Sequence, residues 1–553
     1  MSDDGASVDV SAGARAVEIA VAHGAETMFT LSGAHVFPLL DGAARGPAKM
    51  RLVDVRHEQT AVFAAEATGK LTRVPGLAVL TAGPGVTNGM SPVAQACFNG
   101  SPLVVVGGRA PSFSWGKGAL QELDHPPLFA PVAKRSTTAD SPDAVAVEMD
   151  AAFSVAGGSH RGPVFFDAAI DHLFTPAAEP HLEVRPRSKE VPDSDAIARI
   201  ADLIAAAKRP VVILGTDVWA DGAEEAARRL VSELAIPTIT NGMGRGIIPS
   251  GDLLLVTKAR GSALGGCDLA IVIGTRLDFR LGYGAFGGRD DQPAAKVVHI
   301  ADSAEQISSH VDLAASVHGD LTLACDNLLE ESLRRSVGGW ADWANALAEE
   351  SRAKGESASE LLTSAADPIH PARIYGELLP RLAEDAVVIG DGGDFVSWAG
   401  KFVEPAQPGC WLDPGPFGCL GAGLGAAIAA RIARPSSQVV LLLGDGAAGM
   451  SLMDVDTLVR HRLPVVMVMG NNSAWGLEKQ PMQMVYGYDV AADLAPQTRY
   501  DEVVSALGGA GELVTDPTEI GPALDRAFAS GVPYLVNIVT DTSIPYPRST
   551  TGL

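Results

Sequence analysis

The sequence predicts an α/β protein built from three doubly wound parallel-sheet domains. Short apolar runs alternate with helical patterns along the chain, which is the arrangement of parallel α/β domains. At 553 residues the chain is too long for one hydrophobic core, since a domain usually holds about 150 residues. Gly-rich turns follow several predicted strands, at the sheet edge where open α/β domains bind ligands. We assign the domains to residues 1–180, 190–345 and 366–545.

The strands of each domain are predicted from apolar runs. A polar, Pro-rich stretch at 175–195 is expected to be a linker, and helices are predicted at 196–208 and over the charged region 340–360. Strands are predicted in the first domain at 26–31, 52–55, 77–81, 103–107 and 164–167, in the second at 210–214, 269–273 and 296–300, and in the third at 386–389, 439–443, 465–469 and 534–538.

Composition and charge exclude some partners. Hydrophobic residues make up 47% of the chain and charged residues 20%, the balance of a globular enzyme. The chain has 42 Lys and Arg against 66 Asp and Glu, a net charge of −24. Nucleic acid and anionic membranes are bound by clustered Lys and Arg, so we expect no nucleic acid, no membrane and instead a small-molecule substrate.

The cysteines and the start of the chain indicate a cytoplasmic protein. Five cysteines without CxxC spacing fit a reducing compartment. The acidic start at 1–5 has no apolar signal core. The longest weakly polar run, 417–430, is too short and too rich in small residues to span a membrane.

Two motifs at strand ends point to a bound metal ion. Gly444-Asp445-Gly446 follows one predicted strand and Asn471-Asn472 follows the next, with a crossover helix predicted at 450–462. The carboxyl ends of neighbouring parallel strands lie together, so a carboxylate and an amide are expected side by side. Mg²⁺ prefers such oxygen ligands and completes its shell with phosphate. Gly-Asp-Gly alone is a common turn, but the 27-residue spacing from Asp445 to Asn472 makes the pair specific.

With these motifs the chain resembles the thiamine diphosphate-dependent enzymes, in particular the group of acetolactate synthase, 2-hydroxyacyl-CoA lyase and oxalyl-CoA decarboxylase. The resemblance covers nearly the whole chain and implies pyrimidine-binding, middle and diphosphate-binding domains, in that order. It also implies the cofactors thiamine diphosphate and Mg²⁺. By this resemblance the metal ligands are the side chains of Asp445 and Asn472 and the backbone carbonyl of Ala474, and the diphosphate contacts are Gly446, Ala447, Gly393, Asp394 and Phe395.

The pyrimidine end is assigned by the same resemblance. Arg56-His57-Glu58 could be an ordinary charged helix start, but it matches the family's catalytic signature. Glu58 would then hydrogen-bond the aminopyrimidine ring and share a proton with it. The Gly-rich turn 81–88 would contact the ring through Pro84 and Asn88. The carbonyl of Gly418 and the side chain of Leu420 would hold the cofactor bent.

The substrate pocket is expected near Trp475 and the loop of Ser32, Gly33, Ala34 and His35. By the same resemblance Gln121 is a catalytic residue near the thiazolium ring of the cofactor. His35 is interpreted as structural, since Ser32 stands where benzaldehyde lyase has its catalytic His. Glu478 is either a solvated helix residue or an active-site acid, as in pyruvate decarboxylases. A carboxyl there could donate the proton that completes cleavage.

Two activities are expected from these residues, and we place the lyase first. Glu478, together with Gly425 where acetolactate synthases usually have Pro, favours a reversible C–C lyase of 2-hydroxyacyl-CoA, which releases an aldehyde or ketone and formyl-CoA. The alternative is an acetolactate synthase, which decarboxylates and ligates pyruvate. A catalytically silent cofactor-binding paralogue is a minor alternative, which the presence of Glu58, Asp445 and Asn472 disfavours.

Family enzymes build each site from two chains, so the resemblance implies a homodimer, paired into a homotetramer. CoA or ADP is left open as substrate or effector, and FAD is left open too, because none has a readable motif. Arg260, Arg276 and Arg280 could meet CoA phosphates or form surface ion pairs.

Overall fold

The computed structural model describes residues 10–179, 184, 188–289 and 292–547, which form three all-parallel sheets. The acidic start of the chain and part of the predicted linker, 180–183 and 185–187, lie outside the described residues. The first sheet has the order β2-β1-β3-β4-β6-β5, the second β11-β10-β9-β7-β8 and the third β13-β12-β14-β15-β17-β16. The strands are β1 (Thr27–Leu31), β2 (Arg51–Asp54), β3 (Gly76–Leu80), β4 (Leu103–Arg109), β5 (Arg135–Ala139), β6 (Pro163–Ala169), β7 (Pro210–Leu214), β8 (Thr238–Thr240), β9 (Leu269–Ile273), β10 (Lys296–Ala301), β11 (Ala315–His318), β12 (Val387–Asp391), β13 (Trp411–Leu412), β14 (Val439–Gly444), β15 (Val466–Asn471), β16 (Ala510–Val514) and β17 (Tyr534–Val539).

Helices connect the parallel strands, as the geometry of parallel pairing requires. Several begin with the capping chemistry their sequences predict; Ser141, for example, accepts a hydrogen bond from the backbone N–H of Ala144. The α-helices are α1 (Ala12–Ala22), α2 (Phe37–Arg45), α3 (Glu58–Thr72), α4 (Pro84–Asn88), α5 (Met90–Asn99), α6 (Pro126–Phe129), α7 (Pro142–Gly157), α8 (Ile170–Phe174), α9 (Ser194–Ala206), α10 (Thr216–Ala220), α11 (Glu224–Leu234), α12 (Arg260–Gly266), α13 (Leu321–Leu333), α14 (Ala341–Leu362), α15 (Pro371–Leu378), α16 (Asp394–Phe402), α17 (Gly423–Ala433), α18 (Asp445–Ser451), α19 (Val455–Arg460), α20 (Gly476–Tyr486), α21 (Tyr500–Ala506) and α22 (Ile520–Ala529).

The chain divides into two compact units. The first unit contains the first sheet and consists of the residues up to Arg187 together with Pro414–Pro435 and Ser451–Leu463. The second unit holds the other two sheets and consists of Ser188–Asp413, Ser436–Met450 and Pro464–Leu553. Two segments from within the predicted third domain, which carry α17 and α19, therefore pack with the first sheet. The domain boundaries themselves stay a prediction.

Each sheet has its own hydrophobic core. Strands in the middle of the sheets are buried along their whole length, as β3 and β9 show, which is typical of parallel sheets covered by helices on both faces. The α/β fold with parallel sheets is thus confirmed. No helix among the described residues is long and apolar enough to cross a membrane.

The crossover predicted at 450–462 is wrong in its bounds. The structure begins a helix at Asp445, ends it at Ser451, and starts α19 at Val455 after a 3₁₀ turn at Leu452–Asp454. The break occurs where Asp454 turns its side chain toward the residues before Glu58. Asp445 therefore begins a helix of its own.

Candidate active site

Asp445 and Asn472 are placed by adjacent strands of the third sheet. β14 pairs with β15 in parallel, with Gly444 opposite Gly470, so the residues that follow leave the sheet at the same edge. This is the arrangement that the two sequence motifs predict. The turn after β15 needs a left-handed residue, which is Ser473 with φ of 57°.

Asp445 is a buried carboxylate that lacks one partner. Its side chain is only 3% exposed, and Oδ1 accepts a hydrogen bond of 3.0 Å from the backbone N–H of Gly446. Oδ2 is buried and accepts no hydrogen bond from any residue the structure describes. Burial raises the pKa of this carboxyl from 3.8 to about 6, although nearby backbone N–H groups partly oppose the shift. A buried oxygen without a donor fits a divalent cation, which would satisfy it and keep the group ionised.

The remaining predicted metal ligands lie on the turn after β15. Asn472 Oδ1 accepts a hydrogen bond of 3.1 Å from the N–H of Ala474, and its backbone carbonyl accepts one of 2.5 Å from the Thr542 hydroxyl. These bonds fix the turn while an amide oxygen retains a second lone pair for a cation. The donor set of one carboxylate, one amide and backbone carbonyls suits Mg²⁺.

Glycines let side chains pack directly on this edge of the sheet. A Cβ atom at Gly446 would lie 2.6 Å from the Trp475 ring, and one at Gly393 would lie 2.3 Å from the Leu477 side chain. Neither position accepts a larger residue without displacement of its neighbour. Trp475 is thus held against the first turn of α18, which carries Asp445 and Ala447, and the start of α20 is held against Gly393.

Asp394 and Phe395 support the same edge from α16. A carboxylate oxygen of Asp394 accepts a hydrogen bond of 2.7 Å from the backbone N–H of Tyr546. The Phe395 ring packs so closely on Gly470 that a Cβ atom there would lie 2.4 Å from it. The predicted diphosphate contacts therefore share one edge of the third sheet with Asp445.

Glu58 lies in the first unit, at the start of α3. It is 9% exposed, and its Oε2 accepts a hydrogen bond of 3.0 Å from Asn88 Nδ2. A Cβ atom at Gly85 would lie 3.6 Å from Oε1, so the turn after Pro84 closes over this oxygen. Glu58, Pro84 and Asn88, which the resemblance assigns to the pyrimidine end, are thus brought together.

Asp454 holds the segment that leads into Glu58, and the sequence reasoning missed it. Its Oδ1 accepts a 2.8 Å hydrogen bond from the backbone N–H of Arg56, and its Oδ2 accepts a 2.6 Å bond from the Thr60 hydroxyl. Burial raises the pKa of Asp454, partly offset by these hydrogen bonds. Nothing in the local sequence connects residues 454 and 56; only the packing of the segment Ser451–Leu463 within the first unit does.

The predicted pocket loop lies beside the turn 81–88. A Cβ atom at Gly33 would lie 2.3 Å from the Thr81 side chain, and His35 Nδ1 lies 3.2 Å from Thr81 Oγ1. Burial lowers the pKa of His35, so the ring is neutral near pH 7. Ser32 and Ala34 are exposed next to it, and Gln121 lies against the same turn, where a Cβ atom at Gly83 would be 2.9 Å from Cβ of Gln121.

Gly418 and Leu420 belong to the first unit, where Cys419 Sγ lies 3.6 Å from the carbonyl oxygen of Ser91. Downstream, Gly425 is the point where α17 crosses α3. A Cβ atom at Gly425 would lie 2.7 Å from Cβ of Phe63 and 3.0 Å from the carbonyl oxygen of Thr60. The packing of α17 on α3 thus leaves no room for a Cβ atom at Gly425 in this chain.

Glu478 is exposed in the first turn of α20. Its carboxylate pairs with none of the residues the structure describes, whereas the neighbouring Lys479 bonds Asp489 at 2.5 Å and Asp493 at 2.6 Å. Those ion pairs tie α20 to the following segment and leave Glu478 at the helix N-terminus. The carboxylate of Glu478 is therefore accessible to a ligand and has no ion-pair partner among the described residues.

The three arginines of the middle sheet differ. Arg276 donates a 2.9 Å hydrogen bond to Gln306, and Arg280 pairs with Asp278 at 2.7 Å. Arg260 instead donates to the carbonyl oxygen of Arg280 at 2.5 Å. Burial, reinforced by the charges of Arg245 and Arg280, lowers the pKa of Arg260. Of the three, Arg260 is the side chain whose charge a bound anion would stabilise most.

Fold and site together define a thiamine diphosphate-dependent enzyme. Residues 11–128 match "Thiamine pyrophosphate enzyme, N-terminal TPP binding domain", residues 197–328 match the central domain of the same enzymes, and residues 391–538 match their C-terminal TPP binding domain. The chain belongs to the thiamine pyrophosphate enzyme family.

Similar proteins divide between two activities. The chain is 49% identical over 535 residues to "Acetolactate synthase large subunit IlvG" of Mycobacterium tuberculosis, with 95% of each chain covered. It is 32% identical to "2-hydroxyacyl-CoA lyase 2" of Danio rerio, covering 91% of this chain and 86% of the relative. The human protein of that name is 31% identical, with 94% and 88% covered. The acetolactate synthase, which the sequence analysis placed second, is thus the more similar of the two.

Proposed function

We propose that the protein is an acetolactate synthase-type carboligase, which decarboxylates a 2-keto acid such as pyruvate and joins the remaining fragment to a second 2-keto acid. The observation that carries this proposal is the 49% identity over 95% of both chains to a protein named acetolactate synthase. The lyase relatives are 31–32% identical. This reverses the order of the two activities expected from the sequence.

In this proposal Asp445, Asn472 and the carbonyl of Ala474 hold Mg²⁺, which in turn holds the diphosphate of thiamine diphosphate. The orphaned Oδ2 of Asp445 supports that role. The bound cofactor supplies the carbon nucleophile that such enzymes need to cleave and form bonds next to a carbonyl. Glu58, fixed by Asn88 and by the segment bound to Asp454, holds a proton at the pyrimidine ring.

The working form is proposed to be at least a homodimer, paired into a homotetramer. Large apolar side chains are exposed on the single chain: Phe98 and Phe417 are 42% and 43% exposed, and their ring centroids lie 5.1 Å apart. A second copy covering this pair would remove apolar surface from water. Light scattering of wild type and Phe98→Asp tests this, since the variant should shift toward monomer.

A second candidate is the 2-hydroxyacyl-CoA lyase, because the unpaired carboxyl of Glu478 could serve as its proton donor. Arg260, whose surroundings favour an anion, would then be a candidate contact for CoA or ADP phosphates. FAD binding is a separate possibility, which the visible absorption spectrum of the purified protein tests directly.

The deciding experiment compares two substrates on one preparation with Mg²⁺ and thiamine diphosphate. We expect pyruvate to give acetolactate with a kcat/KM well above that for formation of formyl-CoA from a 2-hydroxyacyl-CoA. A clear preference for the CoA substrate would replace the carboligase with the lyase. Turnover of neither substrate would overturn both candidates.

A further inference from the structure

A buried histidine holds the turn that closes over Glu58. The backbone N–H of Gly83 donates a 3.0 Å hydrogen bond to Nε2 of His125, and both His125 and Asp167 are 0% exposed. Nδ1 of His125 lies 2.8 Å from Asp167 Oδ2. The chain Gly83–His125–Asp167 thus runs from the Gly-rich turn into the core of the first sheet.

The direction of these hydrogen bonds fixes the state of the ring. A backbone N–H can only donate, so Nε2 of His125 must be unprotonated and must accept. Nδ1 then carries the proton and donates it to Asp167, whose other contacts are Arg109 at 2.9 Å and the Thr138 hydroxyl at 2.6 Å. Asp167 therefore selects one tautomer of a neutral imidazole.

The turn that His125 holds has backbone angles that few residues adopt. Gly83 has φ of 61° and ψ of −114°, and a Cβ atom there would lie 2.9 Å from Cβ of Gln121. Gln121, four residues before His125, also has positive φ, at 58°. Non-glycine residues seldom adopt such backbone angles without support from their surroundings. His125 thus holds Gly83 by a hydrogen bond, and Gln121 packs directly on Gly83.

We propose that His125 and Asp167 are positioning residues that set the turn 81–88 and Gln121 in the geometry the pyrimidine end of the site requires. Neither residue touches the reacting atoms. Their effect passes through Gly83 to Pro84 and Asn88, and Asn88 is the hydrogen-bond partner of Glu58. This role rests on the proposed function only for the contact between the turn and the pyrimidine ring. The conformation of the turn itself can be measured without any turnover.

Two matched variants separate positioning from packing. In His125→Gln, the side-chain oxygen can accept from Gly83 while the amide donates to Asp167. His125→Phe keeps a ring in the core but offers neither bond. Hydrogen exchange of the cofactor-free protein gives the first readout, with the peptide covering 81–88 compared with one from α1, elsewhere in the first unit, and with one from β17 in the second.

We expect His125→Phe to speed exchange at 81–88 about tenfold or more while β17 is unchanged, and His125→Gln to stay near wild type. In the loaded enzyme, kcat of the Phe variant should fall about 10–100-fold with little change in KM for the 2-keto acid. Should the Phe variant fail to fold, His125→Met replaces it as the variant without a strong donor or acceptor.

The proposal is overturned if exchange at 81–88 is unchanged in the Phe or Met variant, or if the Gln variant is as impaired as they are. A general rise in exchange across the first unit would also overturn it, because that result means His125 only fills the core. If wild type turns over neither proposed substrate, the proposed function fails but the exchange experiment still decides the role of His125.

Discussion

Asp445 and Glu58 are carboxylates at equivalent positions in two different sheets, but they differ in their hydrogen-bond partners. Each is the first residue of a helix that follows a parallel strand, and each is buried. Glu58 has a hydrogen-bond donor in Asn88, whereas Oδ2 of Asp445 has none among the described residues. Burial raises the pKa of Asp445 to about 6.

This difference in hydrogen-bond partners indicates a metal-binding role for Asp445 and an acid–base role for Glu58. A buried carboxylate oxygen without a donor is costly unless a cation arrives, so Asp445 suits a metal ion. A carboxylate already held by an amide is oriented and can exchange a proton with a ligand, so Glu58 suits acid–base work. Substitutions at the two positions should therefore fail in different ways.

The largest effect is expected for Asp445→Asn, which should weaken Mg²⁺-dependent binding of thiamine diphosphate about 100-fold or more, because the amide has no charge for the cation. In the wild type, Mg²⁺ affinity should fall as the pH drops below about 6, where the carboxyl takes up a proton. Calorimetry across this pH range measures both effects. Glu384→Gln, on the exposed surface, is the control; equal affinity in all three proteins would place the metal elsewhere.

Glu58→Gln should bind the cofactor nearly as wild type does and lose turnover about 10²–10⁴-fold, the usual range for a general acid–base group. Asn88 can still hydrogen-bond the amide oxygen, so the shape of the site is kept. Steady-state kinetics with pyruvate at saturating cofactor shows the loss. Glu26→Gln, exposed in the same unit, should be fully active, and an active Glu58→Gln enzyme would remove Glu58 from the mechanism.

Asp454 offers a graded test of how Glu58 is oriented. Asp454→Ala removes the acceptor of the Arg56 N–H and of the buried Thr60 hydroxyl and should cost about 1–3 kcal/mol in stability. We expect kcat to fall about tenfold, with cofactor affinity less affected. Asp454→Asn can still accept from Arg56 and should lie close to wild type. Equal kinetics of the Ala variant and wild type would show that Glu58 needs no such support.

Glu478→Gln should have the smallest effect. If the protein is a carboligase, consumption of pyruvate should change less than about threefold, since the exposed carboxyl only borders the pocket. The choice of second substrate is the property expected to change. Competition between two 2-keto acids, with product analysis, measures it. A large loss of kcat confined to a 2-hydroxyacyl-CoA substrate would favour the lyase.

The sequence predicted the central strands and the two site motifs, and it missed five edge strands. β5, β11 and β16 are only partly buried, and each contains polar or small residues that interrupt an apolar run. β8 and β13 are buried but only three and two residues long. A sequence pattern marks a strand only where the strand is both buried and long enough, and each of these five strands fails one of the two conditions.

Asp454 and His125 were missed for a different reason. Each acts through a hydrogen bond to a backbone N–H far away in sequence, at Arg56 and Gly83 respectively. Local patterns carry no signal for such contacts. The close packing of α17 on α3 at Gly425 likewise joins residues far apart in sequence and has no local signal.

The most direct test of the account is thermal unfolding of wild type, Asp445→Asn and Glu58→Gln at pH 8, with and without Mg²⁺ and thiamine diphosphate. A carboxyl with its folded pKa raised from 3.8 to about 6 stabilises the cofactor-free protein only at low pH; that contribution is lost as the pH rises through about 6. At pH 8 the ionised Asp445 therefore costs about 3 kcal/mol.

Asp445→Asn should accordingly unfold at a higher temperature than wild type without cofactor and gain much less stability than wild type when Mg²⁺ and cofactor are added. Glu58→Gln should keep the cofactor-induced shift. A cofactor-free Asp445→Asn protein that is less stable than wild type, yet is stabilised by Mg²⁺ and cofactor as much as wild type is, would contradict the assignment of Asp445 as the metal-binding carboxylate.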